Sequence, residues 1–263
     1  MASNLYPQGM SLHTIGYAAL RYPALPPELP IPFGNQLGVM QRTPLSSQIR
    51  SMSQIASQYL PSLLEYQYSD NPLLHDPKSS QYYCSDAFLL INWLTSNPDV
   101  ATRVAKHPQL AHDIIERLLS PTIEADMKAC TWTSGTTWDA GLGSMLQFVS
   151  TILLWHDSQE PVHPRIKELV PKLKVWNRTY RGKFISKVSD RLADQIASPE
   201  ALDLGMVKAS QKEHLVCGYT LCGNKKDMNA CGQCRIQRYC STDHQKKDWK
   251  NHKKICCKGL VEE

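Results

Sequence analysis

The chain reads CGYTLC at 217–222, CGQC at 231–234, CSTDH at 240–244 and HKKIC at 252–256. Eight side chains in these segments can donate a sulfur or a ring nitrogen to a metal ion: Cys217, Cys222, Cys231, Cys234, Cys240, His244, His252 and Cys256. Structural zinc sites are closed sets of four thiolate and imidazole ligands, with no open position for a water molecule. Eight such donors at short spacings therefore predict two Zn²⁺ ions as the cofactors of this chain.

The distribution of cysteine supports a metal role rather than a disulfide framework. Cys84 and Cys130 stand alone, whereas the other seven of the nine cysteines fall between Cys217 and Cys257. The total is odd, and the N-terminus has neither a basic start nor an apolar run, so we expect an intracellular protein of the cytoplasm or nucleus.

The spacing of the last two donors predicts the local structure that carries them. His252 and Cys256 lie four positions apart, which predicts a helix over Lys246–Ile255 that presents both side chains on one face. The neighbouring Cys257 is an alternative to Cys256 as the ligand, and sequence spacing alone leaves that choice open.

The block resembles the MYND zinc finger. The resemblance rests on the eight donors together with Arg238-Tyr-Cys-Ser241, Gln245-Lys-Lys-Asp-Trp249 and His252-Lys-Lys-Ile-Cys256. Two features depart from the family pattern: four residues separate Cys217 from Cys222 instead of the usual two, and His244 replaces a cysteine. The longer loop removes no ligand and histidine is a good zinc donor, so we expect both sites to fill.

The resemblance implies a topology and an activity. A cross-braced fold would place one zinc ion between Cys217, Cys222, Cys240 and His244, and the second between Cys231, Cys234, His252 and Cys256. Members of the family bind proline-rich peptides, often Pro-x-Leu-x-Pro, with residues that correspond to Gln245 and Trp249. The segment Pro23-Ala-Leu-Pro-Pro27 has this pattern, which suggests a peptide ligand within the chain itself.

The remainder of the chain predicts a mainly α protein. Residues 1–80 contain ten of the seventeen prolines and are expected to be a largely irregular segment, with one amphipathic helix over 46–64. Residues 81–198 show recurrent helical stripes separated by Pro, Asn and Ser, which favours an irregular, armadillo-like α-helical domain. We expect a linker at 199–214, the finger at 215–258 and a tail at 259–263.

Charge and motif content narrow the functional class. Residues 212–258 carry eleven Lys/Arg and four Asp/Glu, a net charge of +7, against −2 for the rest of the chain. No apolar run reaches the ~20 residues of a membrane span, and no catalytic or dinucleotide motif is found. We expect a non-enzymatic adaptor that recruits protein partners within a transcriptional or ubiquitin-ligase complex. The alternative is a nucleic-acid-binding protein that acts through Lys246, Lys247, Lys250 and Lys253.

Overall fold

A computed structural model of the chain describes residues 33–132, 136–158, 160–199 and 203–256. The expectation of a mainly α protein is confirmed. In chain order the helices are α1 (Phe33–Met40), α2 (Leu45–Gln67), α3 (Pro72–His75), α4 (Ser80–Tyr83), α5 (Asp86–Leu94), α6 (Pro98–Val104), α7 (Gln109–Leu119), α8 (Ile123–Ala129), α9 (Trp138–Trp155), α10 (Leu169–Thr179), α11 (Phe184–Ala197), α12 (Leu204–Lys212) and α13 (Thr242–His252). Strands β1 (Asn229–Ala230) and β2 (Arg238–Tyr239) form an antiparallel pair, and a 3₁₀ turn precedes α10 at Ile166–Glu168.

The chain forms two compact units, and neither is continuous in sequence. The first unit, here called the finger unit, contains the described parts of 1–68, 86–100 and 210–263. The second, here called the helical unit, contains the described parts of 69–85 and 101–209.

In the finger unit, α2 packs against α5. All nine residues of α5 are buried, as a helix that is apolar on nearly every side requires. Helix α2 buries a stripe that includes Ile49, Met52, Ala56, Leu60 and Leu63. The amide of Asn97 Nδ2 donates to Ser53 Oγ at 2.9 Å, which satisfies two polar groups in this interior.

The helical unit is built around α9, which packs against α7 and α11. Eleven of the eighteen residues of α9 are buried, and they are distributed over every turn, so the helix is largely enclosed by its neighbours along its whole length. A methyl group on Gly143 would lie 2.7 Å from Phe184 Cδ1, and therefore the absence of a side chain lets α11 approach closely. Helices α10 and α11 form an antiparallel hairpin whose apolar residues complete this core.

The structure differs from the expected domain boundaries in three places. The described part of 1–80 is largely helical, because the helix predicted over 46–64 extends to Leu45–Gln67. Residues 86–100 belong to the finger unit rather than to one helical domain over 81–198. The expected linker at 199–214 contains α12, a helix without a buried residue. Residues 1–32, with Pro23–Pro27, and the tail 259–263 lie outside the described residues.

None of the described helices combines the length and the apolar character that crossing a membrane requires.

Candidate metal centre

The first group of donors brings together Cys217, Cys222, Cys240 and His244, whose ligand atoms all lie within 4.8 Å of one another. The sulfurs of Cys222 and Cys240 are 3.7 Å apart. His244 Nδ1 lies 3.8 Å from Cys217 Sγ and 3.1 Å from Cys240 Sγ. The four atoms therefore surround a common centre.

The second group brings together Cys231, Cys234, His252 and Cys256 in the same way. The sulfurs of Cys231 and Cys256 are 3.9 Å apart, and Cys234 Sγ lies 3.6 Å from His252 Nε2. Three of the four side chains are buried, and Cys256 is half-buried. The two groups interleave along the chain, as the cross-braced topology requires.

These distances fit zinc. Tetrahedral ligands at a Zn–S distance of about 2.3 Å place two sulfurs about 3.8 Å apart, which matches the observed separations. Each group offers three thiolates and one imidazole, a closed set that is typical of structural zinc. The expectation of two zinc ions is confirmed by this chemistry, and each filled site would carry a net charge of about −1.

Short elements position the ligands. The pair β1–β2 lies on either side of the Cys231–Cys234 turn, and Cys240 follows β2 directly. Arg235 closes that turn at a φ of 53°. Ser241 Oγ caps α13 by accepting from the amide of His244 at 3.2 Å, which fixes the first turn of the helix that carries both histidine ligands.

The ligand-bearing helix differs from the prediction over Lys246–Ile255. It occupies Thr242–His252, so it begins before His244 and ends at His252, and Cys256 is reached through a turn. The reason is the Ser241 cap, which starts the helix one turn earlier than the spacing of His252 and Cys256 suggests. Cys256 supplies the sulfur of the second group, and Cys257 lies outside the described residues.

The thiols of the first group differ in their acid–base behaviour. Burial raises the pKa of the Cys217 thiol. Desolvation also acts on Cys240, but hydrogen bonds that involve Asn224 and His244 outweigh it and lower the pKa of this thiol to about 7. Because the thiolate is the form that binds zinc, Cys240 is ready to bind a metal ion near neutral pH.

A helix from the N-terminal half supports both groups of ligands. Arg50 of α2 donates from Nη2 to the carbonyl oxygens of Cys217, at 3.4 Å, and Cys222, at 3.1 Å. The fully buried hydroxyl of Ser57 lies 3.6 Å from Cys234 Sγ as a donor. Groups that form hydrogen bonds with the ligand residues in this way orient the ligands of a metal site.

An ion pair also connects the finger to the residues that follow α5. Arg238 of β2 binds Asp99 with two parallel hydrogen bonds, Nε to Oδ2 at 2.5 Å and Nη2 to Oδ1 at 2.6 Å. The hydrogen bonds that Arg238 donates to Asp99 raise the pKa of the Arg238 guanidinium. Sequence reasoning missed Arg50, Ser57 and Asp99, because they lie more than a hundred positions from the residues they hold. The polar spacing of Arg50, Ser53 and Ser57 on one side of a buried helix was the only available signal.

A third group of donors, in the helical unit, has a different explanation. The ligand atoms of His112, Glu116 and His163 lie within 4.8 Å of one another, although the two histidines are far apart in the sequence. His163 Nδ1 accepts from the amide of Arg165 at 3.0 Å, so Nε2 of the neutral ring carries the proton that is donated to Glu116 at 2.7 Å. Neither nitrogen of His163 then has a lone pair free for a metal ion, and we assign the group to hydrogen bonding.

The expected peptide-binding residues lie together on α13. Thr242, Gln245, Lys246 and Trp249 line an open cavity of about 390 Å³. The side chain of Trp249 is 40% exposed although it is large and aromatic, and its ring centroid lies 5.9 Å from that of His252. The indole thus rests partly on a zinc ligand and presents its remaining surface to the solvent.

A comparison with known protein families agrees with the geometry of the two groups of donors. Residues 217–256 match the family described as MYND finger. This segment is a MYND-type zinc finger. Modules of this kind mediate protein–protein interactions, so the expectation of protein partners is confirmed in that general form.

Individual relatives share only short segments with the chain. Egl nine homolog 1 is 40% identical over 55 residues in Mus musculus and 38% identical over 47 residues in Homo sapiens. The human Histone-lysine N-methyltransferase SMYD3 is 48% identical over 42 residues. These matches cover 21%, 18% and 16% of this chain.

The same matches cover only 13%, 11% and 10% of the relatives, so the chain spans about a tenth of their length. No solved structure matches the chain. The armadillo-like character of the helical unit therefore stays a prediction.

Proposed function

We propose that this protein is a non-enzymatic intracellular adaptor whose MYND finger recruits partner proteins through proline-rich peptides. The observation that carries the proposal is the half-exposed indole of Trp249 beside Gln245 in an open cavity. A polyproline segment is extended before it binds, so it loses little conformational entropy when it docks on an aromatic surface. Transcriptional and ubiquitin-ligase complexes are the assemblies in which we expect this adaptor.

The zinc ions support this role without taking part in chemistry. When bound, each ion cross-links distant parts of a small fold, and its four protein ligands leave no position for a reactive water. The chain's own residues then present the binding surface: α13 holds Gln245 and Trp249 one turn apart on the same side. In this proposal the side chains of α13 contact the peptide, and the zinc ions fix the position of that helix.

We do not extend the enzymatic name of one relative to this chain. The similarity to Histone-lysine N-methyltransferase SMYD3 covers 10% of that protein, a length close to that of the finger alone. The adaptor role accounts for the finger without assigning a reaction to the rest of the chain.

The proposal is tested by peptide binding to the zinc-loaded full chain. Peptides of the pattern Pro-x-Leu-x-Pro, including residues 20–32 of the chain itself, are titrated by calorimetry against the protein and its Trp249→Ala variant. We expect binding that the substitution weakens by tenfold or more, since aromatic anchors carry much of the energy of such contacts. The matched control is Leu221→Ala, which removes an 84% exposed apolar side chain elsewhere in the finger.

Two results would contradict the proposal. One is a set of peptides that bind equally to the protein and to Trp249→Ala while both contain two zinc ions. The other is the absence of binding at millimolar peptide together with salt-sensitive duplex binding that requires Lys246, Lys247, Lys250 and Lys253, which would favour the nucleic-acid alternative.

A further inference from the structure

The α10–α11 hairpin carries an unusual charge. Residues 169–199 contain seven Lys/Arg and two Asp, a net charge of +5. Lys172 is turned inward and donates from Nζ to the carbonyl oxygens of Leu118 and Ser120. The six other cations are exposed and are here called the basic hairpin: Lys174, Arg178, Arg181, Lys183, Lys187 and Arg191. The finger is therefore not the sole basic region of the chain.

One of these six cations, Lys183, acts on a carboxylate within the part of the chain that the structure describes: a hydrogen bond from Thr137 and, to a lesser extent, the charge of Lys183 lower the pKa of Asp139. None of the six forms an ion pair there, whereas Lys128, Arg165, Lys208 and Lys247 each pair with a carboxylate. The nearby carboxylate of Asp190 accepts from Asn177 Nδ2 at 2.7 Å instead. Arg178 Nε donates to a backbone carbonyl of its own helix, and Lys183 lies 5.9 Å from the ring centroid of Tyr180.

The spacing of these cations causes repulsion between like charges in the isolated protein. Lys174 and Arg178 are four residues apart on α10, Lys187 and Arg191 are four residues apart on α11, and Lys183 is the N-cap residue that precedes α11. Like charges at this interval face each other and destabilise a helix. Four helical residues rise about 6 Å, so Lys187 and Arg191 lie about one turn apart on α11, which begins directly after Lys183. A polyanion would relieve this repulsion.

An aromatic side chain lies within the basic hairpin. Phe184, the first residue of α11, follows Lys183 directly and is 51% exposed. One edge of its ring lies against Gly143, so the ring is held in place while its other surface remains open. A fixed aromatic surface among cations is the arrangement on which unpaired bases stack in proteins that bind single strands.

We propose that the basic hairpin binds single-stranded nucleic acid, with phosphates on its lysines and arginines and a base stacked on Phe184. Three of the six cations are arginines, whose planar guanidinium groups bind phosphate with two parallel hydrogen bonds. An acidic peptide could pair with the six cations, but its carboxylates would not stack on the exposed ring of Phe184. A duplex keeps its bases paired and unavailable for stacking. This function is additional to the protein recruitment proposed for the finger.

The first test measures the affinity of the zinc-loaded full chain for a fluorescein-labelled dT12 strand by anisotropy between 50 and 200 mM salt. We expect salt-dependent binding that weakens tenfold or more at 50 mM salt in the triple variant Arg178→Gln, Lys187→Gln, Arg191→Gln. Because each phosphate contact contributes about 0.7 to the salt slope of a single strand, the slope should fall by about 2. The matched control removes the same charge from the finger by Lys246→Gln, Lys250→Gln and Lys253→Gln, and should keep affinity within threefold.

The second test separates stacking from charge. We expect Phe184→Ala to weaken binding by about fivefold or more, and Phe184→Tyr to retain it, since both aromatic rings can stack. Val175→Ala, which shortens another half-exposed apolar side chain of the hairpin, should leave binding unchanged. Circular dichroism shows whether each variant remains folded, and Phe184→Tyr keeps the test decisive if Phe184→Ala does not fold.

Three outcomes would overturn the proposal. The protein fails to bind dT12 at 50 mM salt, or the finger variant loses binding while the hairpin variant keeps it. In the third, a twelve-residue polyglutamate or a duplex of equal length binds as tightly as dT12 and Phe184→Ala changes nothing, which would assign the surface to an acidic protein or to duplex DNA.

Discussion

The MYND finger at 217–256 and the helical unit are stabilised in different ways. In the finger, α13 buries just two residues, Asp248 and the zinc ligand His252. In the helical unit, α9 alone buries eleven residues, most of them apolar. A segment of about forty residues has too little apolar surface to offset the entropy of folding. Zinc ligation and contacts with α2 therefore stabilise the finger in place of a larger core. Loss of the zinc ligands should therefore affect the finger most, and loss of core side chains should affect the helical unit most.

The largest effect is expected from Cys231→Ser. The substitution removes one of the four ligands of the second site, and binding of a structural zinc ion is worth about 10–16 kcal/mol of apparent free energy. We expect the zinc content to fall from two ions per chain to one or fewer, together with the loss of hydrogen-exchange protection at 217–256. Elemental analysis and exchange mass spectrometry measure both quantities.

The control for this prediction is Cys130→Ser, which changes a cysteine outside both groups of donors. It should retain two zinc ions. A Cys231→Ser protein with two ions and an ordered finger would show that the second site is not built as described.

The converse experiment is Leu146→Ala in the helical unit. Leu146 is fully buried in α9, and deletion of three side-chain carbons from such a core costs about 2–5 kcal/mol. We expect a loss of this size in the free energy of unfolding from urea denaturation, with the zinc content still at two ions. Leu221→Ala, at an 84% exposed position, should change stability by less than about 0.5 kcal/mol. Zinc loss in Leu146→Ala would argue against separate sources of stability.

A smaller effect is expected from Asp99→Asn, which tests whether the finger depends on the segment that follows α5. The change removes the charge from a paired, largely buried carboxylate and leaves Arg238 without its charged partner, at a cost of about 1–3 kcal/mol. Urea denaturation followed by tryptophan fluorescence measures the cost.

Asp243→Asn is the matched control, because its pair with Lys247 is exposed and of the kind worth about 0–1 kcal/mol. Equal effects of the two substitutions would mean that the Arg238–Asp99 pair does not hold the finger in place.

The smallest effect is a pH dependence within the helical unit. Desolvation opposes ionisation of Glu124, but hydrogen bonds from Lys128, Tyr180 and Trp176 outweigh it and lower the pKa of this carboxyl below its usual 4.5. The ionised form is therefore the stabilising one, and its contribution is present above pH 4.5 and lost as the pH falls through the lowered pKa.

We expect Glu124→Gln to reduce stability at pH 7 and to flatten the decline of stability below about pH 4.5, as measured by thermal unfolding. The exposed Glu65→Gln serves as the control. A Glu124→Gln protein with the same decline as the unaltered chain would remove Glu124 as a source of the acid sensitivity.

Predictability from sequence also differed between the two units. The eight zinc donors followed from their spacing and the pairing from the family resemblance, since ligands of a tight turn or a helix lie close in sequence. The amphipathic helices of the helical unit followed from their periodicity. Domain boundaries did not, because the sequence gives no local sign that residues 86–100 pack with the finger. The positive charge of the hairpin can be counted in the sequence. It was hidden in the net charge of the chain outside the finger, because acidic residues elsewhere cancel it.

The amino-acid order alone thus determined the chemistry of the finger: six sulfurs and two ring nitrogens at intervals that suit two zinc ions. Tertiary structure decided what surrounds them. Arg50, Ser57 and Asp99 meet the finger through contacts that span 139 to 177 positions. Such contacts depend on how whole helices pack, and helix packing is set by the sum of many weak apolar contacts that no short motif encodes.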